Sequence, residues 1–144
     1  MYTIQNIEDA IVNAFKASPL NALCKTIDSY HGEIDDLVAK IGQLTVPLPA
    51  VYVIYSGSVF NESANRSFDD EMTFTTVFIA KDLRGNEKLK AAIYPMIEAG
   101  KTALIDNNLN LDIEPFHPIR IEATLITKAF SIYSMDAKTS FSMD

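Results

Sequence analysis

Ile4, Ile7, Ile11 and Phe15 recur at helical spacing near the start of the chain, with Ala10 and Ala14 beside them. One apolar face at a period of 3.6 predicts an amphipathic helix over 4–17. Thr3 or Asn6 can cap it, and Glu8 and Asp9 suit the positive end of the helix dipole. Ser18-Pro19 ends it, because the residue before proline avoids helical angles. Residues 22–28 then alternate loosely, Leu23 and Ile27 against Lys25 and Asp28, which predicts a short strand. Ile34, Leu37, Val38 and Ile41 predict a short helix over 33–41.

Pro47-Leu48-Pro49 is a stiff, extended entry to AVYVIYSG. In that stretch Val51, Val53 and Tyr55 point one way, and Tyr52 and Ile54 the other. Both faces are apolar, so the strand is expected to be central in its sheet. GSVFNESANRSFDD, residues 57–70, is rich in Ser and Asn and reads as a loop or hairpin tip of unusual length. Long loops in compact domains tend to carry function. EMTFTTVFIAK, 71–81, alternates again: Met72, Phe74, Thr76 and Phe78 against Thr73, Thr75, Val77 and Ile79.

A turn at 82–86 starts a helix over 86–105, with Leu89, Ile93, Ile97 and Leu104 as its stripe. Pro95 is expected to kink or divide this helix and Gly100 to weaken it. A short strand at 111–114, a second through IRIEATLI and a third over Phe130–Phe141 complete the chain. Helix, strands, helix, strands predicts an α+β fold, a mostly antiparallel sheet packed with two main helices.

Composition adds limits. A chain of 144 residues with 48% hydrophobic content fits a single domain, 1–144, with one core. A single cysteine, Cys24, excludes an internal disulfide framework and suggests a reducing compartment. No apolar run approaches the ~20 residues that span a bilayer. The amphipathic start, with its early acids, is not that of a secretory signal. The formal net charge of -7 repels phosphate, and no Lys/Arg cluster offsets it. Tight nucleic-acid binding is therefore not expected, although DNA could pass without sticking.

Candidate chemistry is sparse. SYHGEIDDL places His31 beside Glu33, Asp35 and Asp36. Zinc needs about four ligands, or three and a water, and calcium needs a glycine-bearing loop with a closing glutamate. This spacing meets neither; acids in the first turn of a helix explain it better. His117, between Pro115 and Pro118, has no nucleophile near it in sequence and reads as a stiffened strand entry. Cys24 reads as a small buried hydrophobe within the 22–28 strand. Arg84-Gly85-Asn86 could meet an anion at a helix start, but turn chemistry also explains it. No catalytic residue, cofactor site or metal site is assigned. A small enzyme using Cys24 or a His–carboxylate pair is kept as a rival reading.

Taken in order, the IEDAIV helix, SYHGEIDDL, LPLPAVYVIYSG, AKDLRG, a helix with Tyr94, IEPFHPIRI and FSIYSMDAKTSF resemble a family of small virion proteins of Mu-like phages and prophages. The resemblance covers nearly the whole chain. The family often has Tyr-Pro-Gly-Glu where this chain has Tyr30-His31-Gly32-Glu33, and Pro-Gly-Arg where it has Pro118-Ile119-Arg120. Both are turn positions, and a proline at the place of His31 argues against a required ligand there.

The resemblance implies a tail-terminator or tail-completion protein of the neck. Such a subunit has a tail-terminator-like α+β fold and no enzymatic activity. It would form a ring, a hexamer in related systems, on the head-proximal end of the tail tube. Its partners would be itself, tube and sheath protein, and the head connector, with DNA passing through unbound and no membrane involved. It would reside in the virion, after assembly in the bacterial host cytoplasm. A head-side connector (stopper) is the alternative within that class. The candidate contact residues are Phe60, Asn61, Glu62, Arg66 and Phe68 in the 57–70 segment, Arg84 in the turn, and Tyr133 and Phe141 in the last strand.

Overall fold

The computed structural model describes residues 2–40, 47–63 and 66–143. The elements are α1 (Ile4–Lys16), α2 (Leu20–Leu23), β1 (Thr26–Ser29), α3 (Ile34–Ala39), β2 (Ala50–Glu62), β3 (Phe68–Lys81), α4 (Asn86–Leu104), β4 (His117–Ile126) and β5 (Phe130–Ser142). The strands form one sheet in the order β1-β2-β3-β5-β4. β1 pairs with β2 in parallel; the other three pairings are antiparallel. The fold is α+β with a mixed, mostly antiparallel sheet.

α1 starts at a reciprocal cap. Thr3 Oγ1 accepts from the Asn6 N–H, and Asn6 Oδ1 accepts from the Thr3 N–H, each at 3.0 Å. Ile7, Ile11 and Phe15 are buried, whereas Ile4 remains exposed and Val12 takes its place in the core. Burying one such side chain fully contributes about 1.5–3 kcal/mol. Ser18 closes the helix by donating to Phe15 O at 2.7 Å.

The sheet has two covered faces. On one, α1 and α4 pack over Val51, Val53, Phe74, Phe78 and Met135. On the other, Leu37 of α3 joins Tyr52, Ile54, Val77, Ile79 and Ile132. β2 and β3 are therefore apolar on both sides where the helices cover them, as their sequences require.

Four expectations are corrected. The strand expected at 22–28 is split: Leu20–Leu23 is helical, Cys24 ends that turn in an extended conformation, and β1 begins only at Thr26. Pro19 at the start of this turn favours helix there. The 57–70 loop is mostly paired strand, from Gly57↔Thr73 to Glu62↔Phe68. It is the hairpin-tip alternative that holds: Val59–Glu62 are exposed, whereas Asp69 and Asp70 are half-buried. No strand forms at 111–114, where the Leu111 N–H instead donates to Asn108 O at 2.9 Å and closes a turn. Pro95 does not divide α4, which runs unbroken for 19 residues. Of the residues expected in α3, Ile41 lies outside the described ones.

Candidate assembly surface

Beyond Tyr55, β2 runs on as an edge strand against β3, which β5 flanks on its other side as far as Asp69; this end of the sheet forms an arm. A bulge between Tyr55 and Gly57 shifts the register at its root. The turn at its tip is closed by Ser63 N–H to Ser67 O at 2.7 Å and by a Ser63–Ser67 hydroxyl contact at 2.6 Å. Arg66 sits there with φ +62°. Val59, Phe60 and Phe68 are 60%, 59% and 48% exposed. Strand alternation puts Phe60 and Phe68 on the side of the sheet carrying α1 and α4 and Val59 on the other. Of the candidate contact residues, Phe60, Asn61, Glu62, Arg66 and Phe68 come together here.

The other three lie apart. Arg84 folds back on Asp82: Nε to Oδ1 at 2.9 Å and Nη2 to Oδ2 at 2.7 Å. That pairing holds the Asp82 carboxyl down to about 2 and engages the guanidinium. Tyr133 stacks edge-on against Tyr94 of α4, with ring centroids 6.2 Å apart. Burial raises its pKa, with the Tyr94 hydroxyl adding to the shift. Phe141 is buried and meets Tyr2 edge-on at 5.9 Å.

A polar row crosses the α3 side of the sheet. Thr75 donates to Asp136 Oδ1 at 2.6 Å, and Arg120 Nε donates to Asp136 Oδ2 at 3.0 Å. The Thr75 hydroxyl has one proton and gives it to the carboxylate, so the Ser56 hydroxyl, 2.5 Å away, donates to Thr75. The row thus links β2, β3, β5 and β4 and fixes their register. Sequence reading missed it. Thr75 and Asp136 each sit at alternating positions of a strand, with nothing local to say that they meet.

β4 is the second surface missed. It is exposed along most of its length on both faces, including Ile119 at 49% and Ile121 at 40%. The alternation in IRIEATLI reads as a half-buried strand, yet its place at the sheet edge leaves even the isoleucines uncovered.

The residues weighed for chemistry are scattered. His31 is exposed in the β1–α3 connection, Asp35 and Asp36 lie in the first turn of α3, and His117 is the first residue of β4. Burial pushes the Cys24 thiol up to about 11, so it stays protonated at neutral pH, the reverse of what a nucleophile needs. Among the described residues, no group of three or more His, Cys, Asp or Glu could hold a metal ion. Among the same residues, no helix is long and apolar enough to cross a membrane. A cleft of about 780 Å³ lies between α1 and α4, lined by small side chains such as Ala14, Ala17, Ala99 and Ala103.

The fold defines a class. It is shared with a chain of the virion of a native gene transfer agent (GTA) particle, with TM-score 0.62 at 16% identity, covering 99% of both chains. The family model described as Bacteriophage Mu, Gp37 matches residues 3–142, and the chain belongs to that family. No curated protein matches the chain. The chain thus belongs to a phage protein family and shares its fold with a chain of that particle.

Proposed function

We propose that this protein is a non-enzymatic tail-terminator or tail-completion protein that forms a ring, a hexamer by preference, on the head-proximal end of the tail tube. The observation that carries this reading is the β2–β3 arm. The outer ends of β2 and β3, flanked by β5, leave Val59, Phe60 and Phe68 largely in water. Burying those side chains against another subunit recovers the free energy their exposure costs. The Mu Gp37 family and a fold shared with a chain of a phage-like particle support the same reading.

The ring would stop growth of tube and sheath and offer its upper side to the head connector. DNA would cross the centre, and a formal net charge of -7 fits a passage that does not retain phosphate. The protein would work in the virion neck after assembly in the host cytoplasm. Binding to tail-tube protein against portal-side protein tests the position. Capture by the tube end supports a terminator; capture by the portal side alone supports the head-side connector.

A further inference from the structure

The sequence has no Lys/Arg cluster, but the fold assembles one at the end of the sheet opposite the arm. Lys25 N–H donates to Pro49 O at 2.8 Å, which sets Lys25 beside the start of β2. Lys81 ends β3. Asp82 N–H donates to Ala129 O at 2.9 Å, which brings Lys128 of the β4–β5 turn beside residues 82–85. At Asp82 the attraction of Lys88 adds to the hydrogen bonds from Arg84. Lys90 follows near the start of α4. All of these cations are exposed, and the carboxylates among them are Asp82 and Glu87. Leu83, 79% exposed, sits in the turn between them. The outer end of the sheet is acidic. Glu62, Asp69, Asp70 and Glu71 lie on β2 and β3. Glu114 N–H donates to Ser140 O, and Asp112 N–H donates to the hydroxyl of Tyr2, whose ring meets Phe141, so both residues join that end. Arg66 and Lys138 are the cations there, the latter 3.6 Å from Glu71. Among the described residues, no ion pair engages Lys25, Lys88 or Lys128 at one end, nor Glu62, Asp69 or Asp70 at the other.

We infer that neighbouring copies dock end to end, the basic end of one copy receiving the acidic outer ends of β2 and β3 of the next. Three features point to a second copy as the occupant. First, the charges complement. Cations outnumber carboxylates at one end, and carboxylates outnumber cations at the other. Opposed potentials steer the encounter and fix its orientation. Second, each end has an apolar centre inside a charged rim, the anatomy of a docking surface. Leu83 stands at one centre, Phe60 and Phe68 at the other, and all three are covered when the ends meet. Third, the two ends lie at opposite termini of β3, Phe68 and Lys81. At roughly 3.3 Å per residue they are about 45 Å apart. One chain cannot bring its own ends together, so the contact is made between copies. It joins two different patches, which makes it heterologous, and it propagates from copy to copy until a ring closes.

This inference rests on the ring reading and adds its joint. Charge reversal tests it. Lys88→Glu with Lys128→Glu reverses the basic end, and Glu62→Lys with Asp69→Lys reverses the acidic one. None of the four side chains belongs to the core, so each variant should melt within a few degrees of the parent. Each variant alone carries one sign at both ends and should be a monomer. An equal mixture of the two should form rings again, because every end then meets its opposite. A chain carrying all four substitutions should do the same. Rings of the parent should loosen in high salt, which screens the contact. Rings that persist in either variant would overturn end-to-end docking and leave the ring reading standing. If the Lys88→Glu, Lys128→Glu variant keeps its rings but loses a salt-sensitive retention of duplex DNA that the parent shows, the basic end serves phosphate instead. Rings lost in both variants, and restored neither by mixing nor by the combined substitutions, would also overturn the docking. A parent protein that forms no ring in solution or on tube ends would overturn both.

Discussion

Gly100 of α4 leaves room for the ring of Phe78 in β3. A Cβ on Gly100 would fall 2.6 Å from Phe78 Cζ and 2.7 Å from Cε1. Helix and sheet approach closely here, and Phe78 is fully buried beneath. In an open helix, replacing Gly with Ala gains about 1 kcal/mol. Overpacking a core costs about 1–3 kcal/mol. Phe78 is fully buried within the core cluster, so the second effect should win. Gly100→Ala is expected to lower stability by about 1–2 kcal/mol, or roughly 3–5 °C per kcal/mol in melting temperature. A melting curve unchanged or shifted upward would show that the ring can move aside.

The polar row gives a second expectation. Thr75→Val keeps the shape but removes the proton donated to Asp136 and the acceptor used by Ser56. Arg120 continues to pair with the carboxylate. The loss should be about 1 kcal/mol, the usual net worth of one such bond. In chemical denaturation this would appear as a lower midpoint with an unchanged slope.

Glu8 gives the pH dependence. Its pKa is raised above 4.5, chiefly by burial; Ser29, as a hydrogen-bond partner, opposes the shift. The folded-state value lies above the unfolded one, so ionisation of Glu8 costs stability and the cost is present at neutral pH. Glu8→Gln removes the charge. It should raise the melting temperature at pH 7, with the gain shrinking as pH falls through the raised value and vanishing below the ordinary glutamate range. A gain independent of pH would place its origin elsewhere.

Asp82 has the opposite sign. Hydrogen bonds from Arg84 lower its pKa from 3.8 to about 2. The stability it supplies is present above the unfolded value and is lost as pH falls from about 4 towards 2. Asp82→Asn should remove that part of the acid-unfolding profile and leave its shape above pH 5 unchanged.

Much of the fold is legible in the sequence because the covered parts of it are patterned. AVYVIYSG is apolar on both faces, and both faces are covered. The stripe of Leu89, Ile93, Ile97 and Leu104 is the buried side of α4. Where exposure or close approach is set by distant parts of the chain, local pattern misleads. Residues 57–70 read as a loop or hairpin tip because they are polar and none of the described ones is fully buried. Gly100 looks like a weakness in α4, since the close approach of Phe78 lies 22 residues away in sequence. Of the candidate contact residues, the five in the arm follow from its exposed composition. Phe141, in contrast, alternates into the core, and its burial depends on Tyr2, at the far end of the sequence.

Arm truncation links fold to assembly. Replacing 60–68 with a short turn removes the paired tip and leaves the helix-covered core intact. The variant should stay folded and cooperative in thermal melts but no longer associate. Full association of the shortened chain would exclude the arm as an interface.

The ring itself is tested most directly by solution mass across a concentration series, with negative-stain images of the same samples and of samples mixed with tail tubes. The expected result is a fixed multiple of the 16.0 kDa chain, six by preference, seen as closed rings with a central hole or as caps on one end of the tubes. A strict monomer at every concentration, with tube ends left bare, would contradict the account.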